Sequence, residues 1–279
     1  GLWVLLRGGR GRFKLAAGSL GTGADAAQML QMGTLDVLMS DDMTMDGVLN
    51  GTLGFAWLPG LVANYEEADA YYNNGWIADK VAEVMAKSDL IRISSYCNGF
   101  RQVGNIKRPV TEMSDIAGLK IRTPSVESIV SFYEKCGALP AMISGSEVLN
   151  ALQTGTVDGQ DNPLPTVKSA KFYEVQKSIS LTNHLVDSVW PTINLNTWNK
   201  LTDTQKGWVM EAVEAARVAC DEQNIKTESE VQDFLREQGL TIYEADVAAF
   251  ADHVLETYLA DPISDTWDKD LLAQIQAMA

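Results

Sequence analysis

An α/β fold is the class this sequence predicts. Helix-like and strand-like segments alternate along the chain, the pattern of layered α/β domains. Hydrophobic residues make up 46% of the 279 and charged residues 21%, enough apolar material for about two domains. There is also an internal echo. Leu30-Gln31-Met32-Gly33-Thr34-Leu35-Asp36 returns as Leu152-Gln153-Thr154-Gly155-Thr156-Val157-Asp158, identical at five of seven positions. The interval is far too long for a solenoid. It reads instead as one helix–glycine–strand joint, used once in each of two similarly built lobes that present it to a shared cleft. A chance match of a common joint is the plainer alternative.

The elements follow in chain order. Phe13–Ala17 reads as a short strand, and Ala24–Met32 as a helix closed by Gly33, whose missing Cβ suits a left-handed cap. Thr34–Ser40 is a strand ending in Asp41-Asp42. Tyr65–Lys87 is helical, with Glu66 and Glu67 in the first turn, where the helix dipole favours acid. Leu90–Tyr96 is a β-rich run, and Leu119–Arg122 is another strand. Ser125–Cys136 and Ser146–Thr154 are helices closed by Gly137 and Gly155. From Leu201, with capping residues at Thr202 and Gln205, a long helix runs to about Asn224.

Charge and motif content exclude several classes. Lys and Arg number 22 against 37 Asp and Glu, a net charge of −15 that unsuits the chain to nucleic acid or anionic lipid. An anionic small ligand stays compatible, because one well-placed Arg governs a buried site whatever the net charge. No run approaches the roughly 18 apolar residues of a membrane span. The start, Gly1–Arg7, is short and apolar and then basic, with no cleavage site and no initiator Met. It reads as a processed or incomplete chain and is silent on compartment. Cys97, Cys136 and Cys220 read as free thiols, with one disulfide as the alternative. His184 and His253 are the only histidines, too few for a histidine metal cage, and no metal or cofactor is expected. His184 itself reads as a structural, hydrogen-bonding residue.

One string is enzyme-like. Gly21-Thr22-Gly23-Ala24-Asp25-Ala26 opens a helix after a possible strand, and Asp41 lies 20 positions on, the context of a dinucleotide site. A nucleotide-cofactor enzyme is therefore the alternative reading; a simple loop entering a helix explains the same residues. A richer constellation lies further on. Arg101, in Asn98-Gly99-Phe100-Arg101, is expected just beyond a strand end, where α/β clefts form. Arg122 closes the strand of Gly118-Leu119-Lys120-Ile121-Arg122-Thr123-Pro124. The planar fork of Arg grips a carboxylate through two parallel donors and never deprotonates.

Those segments, with Arg108-Pro109, Gly137-Ala138, Pro140, Ser146-Glu147-Val148, Ala151 to Pro163 and Lys171-Phe172-Tyr173-Glu174-Val175-Gln176-Lys177, resemble the substrate-binding proteins of tripartite ATP-independent periplasmic (TRAP) transporters, the DctP family. The likeness is dense from about Leu20 to His184. It implies a periplasmic solute receptor without catalytic activity: two α/β lobes with a ligand cleft between them, braced by a long helix. It also implies lobe I at 1–99 plus 188–227 and lobe II at 100–187 plus 228–279. The ligand would be a small organic acid, sugar acids among the candidates, passed by a soluble monomer to ion-driven membrane subunits. By the same resemblance Arg122 forms the main salt bridge to the ligand carboxylate, Arg101 assists, and Asn162 hydrogen-bonds the same end. Asn162 before Pro163 also suits a plain turn. An aromatic often stands where this chain has Ser144-Gly145, so Trp190 is expected either as a replacement wall or as a core residue. Asp41 and Asp42 are expected either to meet ligand hydroxyls or an amine, or to sit in a solvated loop.

Overall fold

The computed structural model describes residues 5–6, 9–10, 20–57, 62, 64–260, 262–266, 270 and 273. The strand expected at Phe13–Ala17 lies outside them. A short hairpin, β1 (Leu5–Leu6) and β2 (Gly9–Arg10), comes first. Helix α1 (Gly23–Gln31) begins at a capping box in which Thr22 and Asp25 satisfy each other's backbone N–H groups. Strand β3 (Val37–Asp41) leads directly into α2 (Asp42–Val48), capped by Asp41.

The helix expected over Tyr65–Lys87 is two. Helix α3 (Tyr65–Asp69) widens into a π turn over Ala70–Asn74 and breaks at extended Gly75 before α4 (Trp76–Ala86). The β-rich run is split as well, into β4 (Leu90–Arg92) and β5 (Tyr96–Asn105). One side chain links the two departures. Asn73, in the π turn, donates Nδ2 to the Ser95 carbonyl at 2.8 Å and accepts the Ser95 N–H at 2.9 Å. The Ser95 peptide is thereby satisfied without a neighbouring strand, and the ladder stops there.

The strand and helices expected next are β6 (Lys120–Thr123), α5 (Glu127–Lys135) and α6 (Val148–Gln153), and between and after them come β7 (Leu139–Met142), β8 (Gly159–Pro163), α7 (Leu164–Ser169), β9 (Ser178–Leu181) and β10 (Val186–Asn194). Then come α8 (Leu195–Lys200), α9 (Asp203–Glu237), β11 (Thr241–Glu244) and α10 (Val247–Leu259). Helix α9 starts at the expected capping box of Thr202 and Gln205 but runs well past Asn224. Its last turns are anchored by Val231 and Leu235, an apolar i, i+4 pair buried with Leu152, Leu164 and Ile179.

Strands β3 to β11 form one sheet with two limbs, the cores of two lobes. In the first, β10 lies antiparallel between β3 and β4 and pairs the front half of β5. The second has the order β11-β9-β5-β8-β6-β7. Strand β5 serves both: Tyr96 to Phe100 face β10, and Arg101 to Asn105 face β8 and β9. The sequence echo maps one joint to each limb, α1 to β3 through Gly33 (φ +74°) and α6 to β8 through Gly155 (φ +69°).

At the junction the β5–β10 register shifts between Asp187 and Ser188, and Gly99 opposite Asp187 has φ +123°. A Cβ at Gly99 would lie 3.2 Å from both the Pro163 Cβ and the Tyr65 hydroxyl. Gly99→Ala is therefore expected to cost about 1–3 kcal/mol through strain at that φ, read as a lowered Tm in thermal unfolding followed by circular dichroism. An unchanged Tm would show that the junction does not require glycine. Helix α9, about 52 Å long at 1.5 Å per residue, braces the same place. Asp221 accepts the Cys97 N–H at 3.0 Å and Asn224 donates to the Cys97 carbonyl at 2.8 Å. Cys97, Cys136 and Cys220 are free thiols.

Candidate functional site

The site grows from the register of three strands. Strand β6 runs parallel to β8 with Arg122 beside Gln160, and β8 runs antiparallel to β5 with Asn162 opposite Gln102. Side chains alternate along a strand, so Arg122, Gln160 and Asn162 share one face. Arg122, one residue before the end of β6, is only 7% exposed. Its Nε donates to the Ile143 carbonyl at 2.7 Å, and among the described residues its Nη1 and Nη2 find no acceptor. Burial, followed by the like charge of Arg101, lowers its pKa to about 10, so it stays a cation at neutral pH. A Cβ built at Gly145 would lie 4.0 Å from the Arg122 Nη2, so the absent side chain leaves room beside the fork.

Asn162 is partly buried and donates Nδ2 to the Gln160 Oε1. That contact orients the amide and leaves its second N–H free to donate. Gln160 is fully buried and its Nε2 has no acceptor among the described residues.

Arg101 departs from expectation. It lies inside β5 rather than beyond a strand end, because the break at Ser95 restarts the strand at Tyr96. Its Nε donates to the Asp161 carboxylate at 2.7 Å and its Nη2 to the Asp161 carbonyl at 2.6 Å, with Asp187 at 3.7 Å. His184 Nε2 stands 3.2 Å from the same Asp161 oxygen, its Nδ1 is 2.8 Å from the Thr182 hydroxyl, and its ring stacks on Phe132. Burial would push the Asp161 carboxyl up, but the Arg101 charge and the hydrogen bonds from His184 and Arg101 hold it well below the usual carboxylate range. Arg101 is thus engaged by protein carboxylates, whereas the Arg122 fork is open.

The first lobe supplies acids. Asp41 ends β3, half-buried, and caps α2 by accepting the Thr44 N–H at 2.7 Å and the Thr44 hydroxyl at 2.9 Å. Its charge acts on Arg122 from across the junction. Asp42 is neither solvated nor open to a ligand hydroxyl. It is wholly buried, accepting the Ser188 hydroxyl at 2.7 Å and the Met43 N–H at 2.9 Å. Trp190 is likewise a core residue and not a cleft wall. It has no exposed surface, and the Arg92 guanidinium lies 5.3 Å from its ring centroid. Asp161, Gln160 and Asp187 are site residues that sequence reasoning missed. The signal for Gln160 and Asp161 is polarity on both faces of a strand, in Gly159-Gln160-Asp161-Asn162-Pro163, where a solvated strand would carry it on one.

An open, buried guanidinium between two α/β lobes fits anion capture, and the comparisons with known proteins say which kind. Residues 8–260 match DctP, the bacterial extracellular solute-binding protein family 7. The chain belongs to this family. This DctP protein is 32% identical over 253 residues to the sialic acid-binding periplasmic protein SiaP of Vibrio cholerae, across 89% of this chain and 78% of that relative. It superposes on a TRAP periplasmic solute-binding protein of Roseobacter denitrificans with bound 3-deoxy-D-manno-oct-2-ulosonic acid at a TM-score of 0.85 and 31% identity, covering 94% of this chain and 87% of that one. A Polaromonas sp. JS666 relative bound to D-erythronate gives 0.84 and 30%, over 93% and 84%.

As a DctP protein the chain is a solute-binding protein and not an enzyme. The reading of Gly21–Ala26 as a cofactor loop is corrected accordingly. Thr22 and Asp25 close the first turn of α1 upon itself, and an acid stands where a pyrophosphate would need free N–H groups. No described helix is long and apolar enough to cross a membrane.

Proposed function

We propose that this DctP protein is a monomeric periplasmic receptor that closes two lobes on a small hydroxylated monocarboxylate and passes it to TRAP membrane subunits. One observation carries the reading: Arg122 is a buried guanidinium with one acceptor among the described residues and an open fork. Burial without a full set of partners is costly, and a bidentate carboxylate relieves it. Relatives with bound D-erythronate and 3-deoxy-D-manno-oct-2-ulosonic acid, and the sialic acid-binding SiaP, support a hydroxylated acid.

In this reading Arg122 clamps the carboxylate and the free Asn162 N–H donates to it without adding charge. Arg101, held by Asp161, contributes positive potential, and Asp41 accepts a ligand hydroxyl. Lobe I comprises 1–99 and 188–227, and lobe II 100–187 and 228–279. Ligand that touches both lobes stabilises the closed state because the open state lacks half of those contacts.

Calorimetric titration with D-erythronate, 3-deoxy-D-manno-oct-2-ulosonic acid and N-acetylneuraminate tests the class, with succinate and an apolar acid such as cinnamate as controls. At least one hydroxylated acid should bind well ahead of both controls; binding of the controls alone would overturn the assignment. Asn162→Ala should cost about 1–3 kcal/mol of affinity for the acid that binds, the range for one buried hydrogen-bond partner.

A further inference from the structure

The charges at the lobe junction do not balance. Two guanidiniums, Arg101 and Arg122, face four carboxylates, Asp41, Asp42, Asp161 and Asp187, all but half-buried Asp41 less than a tenth exposed. An acid anion arriving at Arg122 would deepen an excess of negative charge in a place shielded from water. The excess is concentrated where β10 meets β5 and α2. Asp187 accepts the Asn98 amide at 3.0 Å through Oδ2, which lies 3.7 Å from Arg101, while its buried Oδ1 has no partner among the described residues. Asp42, joined through Ser188 to the same strand, accepts hydrogen bonds from Ser188 and Met43 and makes no ion pair among the described residues.

We propose that binding of the acid anion is coupled to uptake of one proton by the Asp42–Asp187 carboxylate pair, which makes the pair a charge-balancing part of the binding site. The proposal rests on the reading of Arg122 as the carboxylate clamp. Two independent observations point to it: the open fork of Arg122, which calls for an anion, and the buried Asp187 Oδ1, whose charge no hydrogen bond among the described residues offsets and a proton would neutralise.

The surroundings favour this pair as the proton acceptor. From β3 comes the like charge of Asp41, from β8 that of Asp161, and from β5 the attraction of Arg101 and the hydrogen bond of Asn98. From β4 the buried Arg92 guanidinium reaches Tyr72, as Asp42 does; Tyr72, and Cys97 and Tyr96 near Asp187, are neutral, and Asp221 and Glu228 of α9 act on Cys97 and Tyr65. Burial first, and the neighbouring acids after it, hold the Asp187 carboxyl up at about 6 and push Asp42 well above the usual range. Asp161 is held in the opposite direction by Arg101 and His184 and stays ionised. A further negative charge can only raise the pair, so Asp187, held up at about 6, gains in the bound complex a proton that it lacks in the free protein at neutral pH.

The test is calorimetric titration of D-erythronate, 3-deoxy-D-manno-oct-2-ulosonic acid and N-acetylneuraminate in phosphate and in Tris, whose ionisation enthalpies differ. For the acid that binds, the parent should take up about one proton at pH 7.5 and close to none at pH 5, with Kd rising by up to about tenfold per pH unit between pH 6.5 and 8. The Asp42→Asn/Asp187→Asn double variant should bind with no uptake and a flat pH profile; the single variants serve if it does not fold. Binding by the parent without proton exchange would overturn the coupling and leave the receptor assignment standing. Uptake that survives in every variant would place the proton elsewhere and overturn the role of the pair. Failure of all three acids to bind would overturn both readings together.

Discussion

Replacing Arg122 with alanine should weaken binding of the ligand acid by about 2–5 kcal/mol, the usual loss when one partner of a buried charge pair is removed. That is roughly 30-fold to several-thousand-fold in Kd. The fold should survive, because among the described residues Arg122 makes one side-chain hydrogen bond, to the Ile143 carbonyl, and no ion pair. Arg122→Lys should recover only part of the loss, since an ammonium keeps the charge but not the two parallel donors. Calorimetric titration of each variant, with circular dichroism to confirm folding, reads the effect. Binding within a few-fold of the parent would make Arg122 a structural residue.

The second large effect is on stability. Asp161 is the hub of a buried network, accepting from Arg101 and facing His184. Asp161→Ala would leave the Arg101 guanidinium buried with Asp187, at 3.7 Å, as its one carboxylate partner among the described residues. Breaking such a pair from one side costs about 3–5 kcal/mol, measured as a shift of the urea midpoint at constant slope. The pH dependence has a definite sign. The Asp161 pKa is depressed in the folded protein, so its contribution is fully present above the unfolded value of about 3.9 and is lost as pH falls below it. Between pH 5 and pH 2 the parent should therefore lose stability more steeply than Asp161→Asn. Equal slopes would show that Asp161 carries no native-state charge interaction.

The alternation that predicts α/β, the glycine joints and the capping boxes are local features, and the sequence shows them within a residue or two. The α9 terminus and the β4–β5 break are not local. Both depend on what packs there: Val231 and Leu235 against α6 and α7, Asn73 against Ser95. That break also decides where Arg101 falls, so its displacement into the middle of β5 follows from a contact no periodicity reveals. The sequence singles out Arg122 by its place at the end of a strand before Pro124, whereas Asn162 enters through the resemblance of its segment to the DctP family. Asp161 and Asp187 are not legible, since alternation shows that a strand is polar on a given face but not which charge crosses to meet it. Asp42 and Trp190 mislead for the same reason: both sit where a cleft residue is expected, but both are wholly buried.

The most direct test of recognition through Arg122 is a cycle across the bond itself. Let the binding acid and its neutral primary amide be titrated into the parent and into Arg122→Ala. In the parent the acid should bind far more tightly than the amide, and in Arg122→Ala that advantage should collapse to a few-fold. An equal advantage in both proteins would mean that the carboxylate is recognised elsewhere and that Arg122 does not hold the ligand.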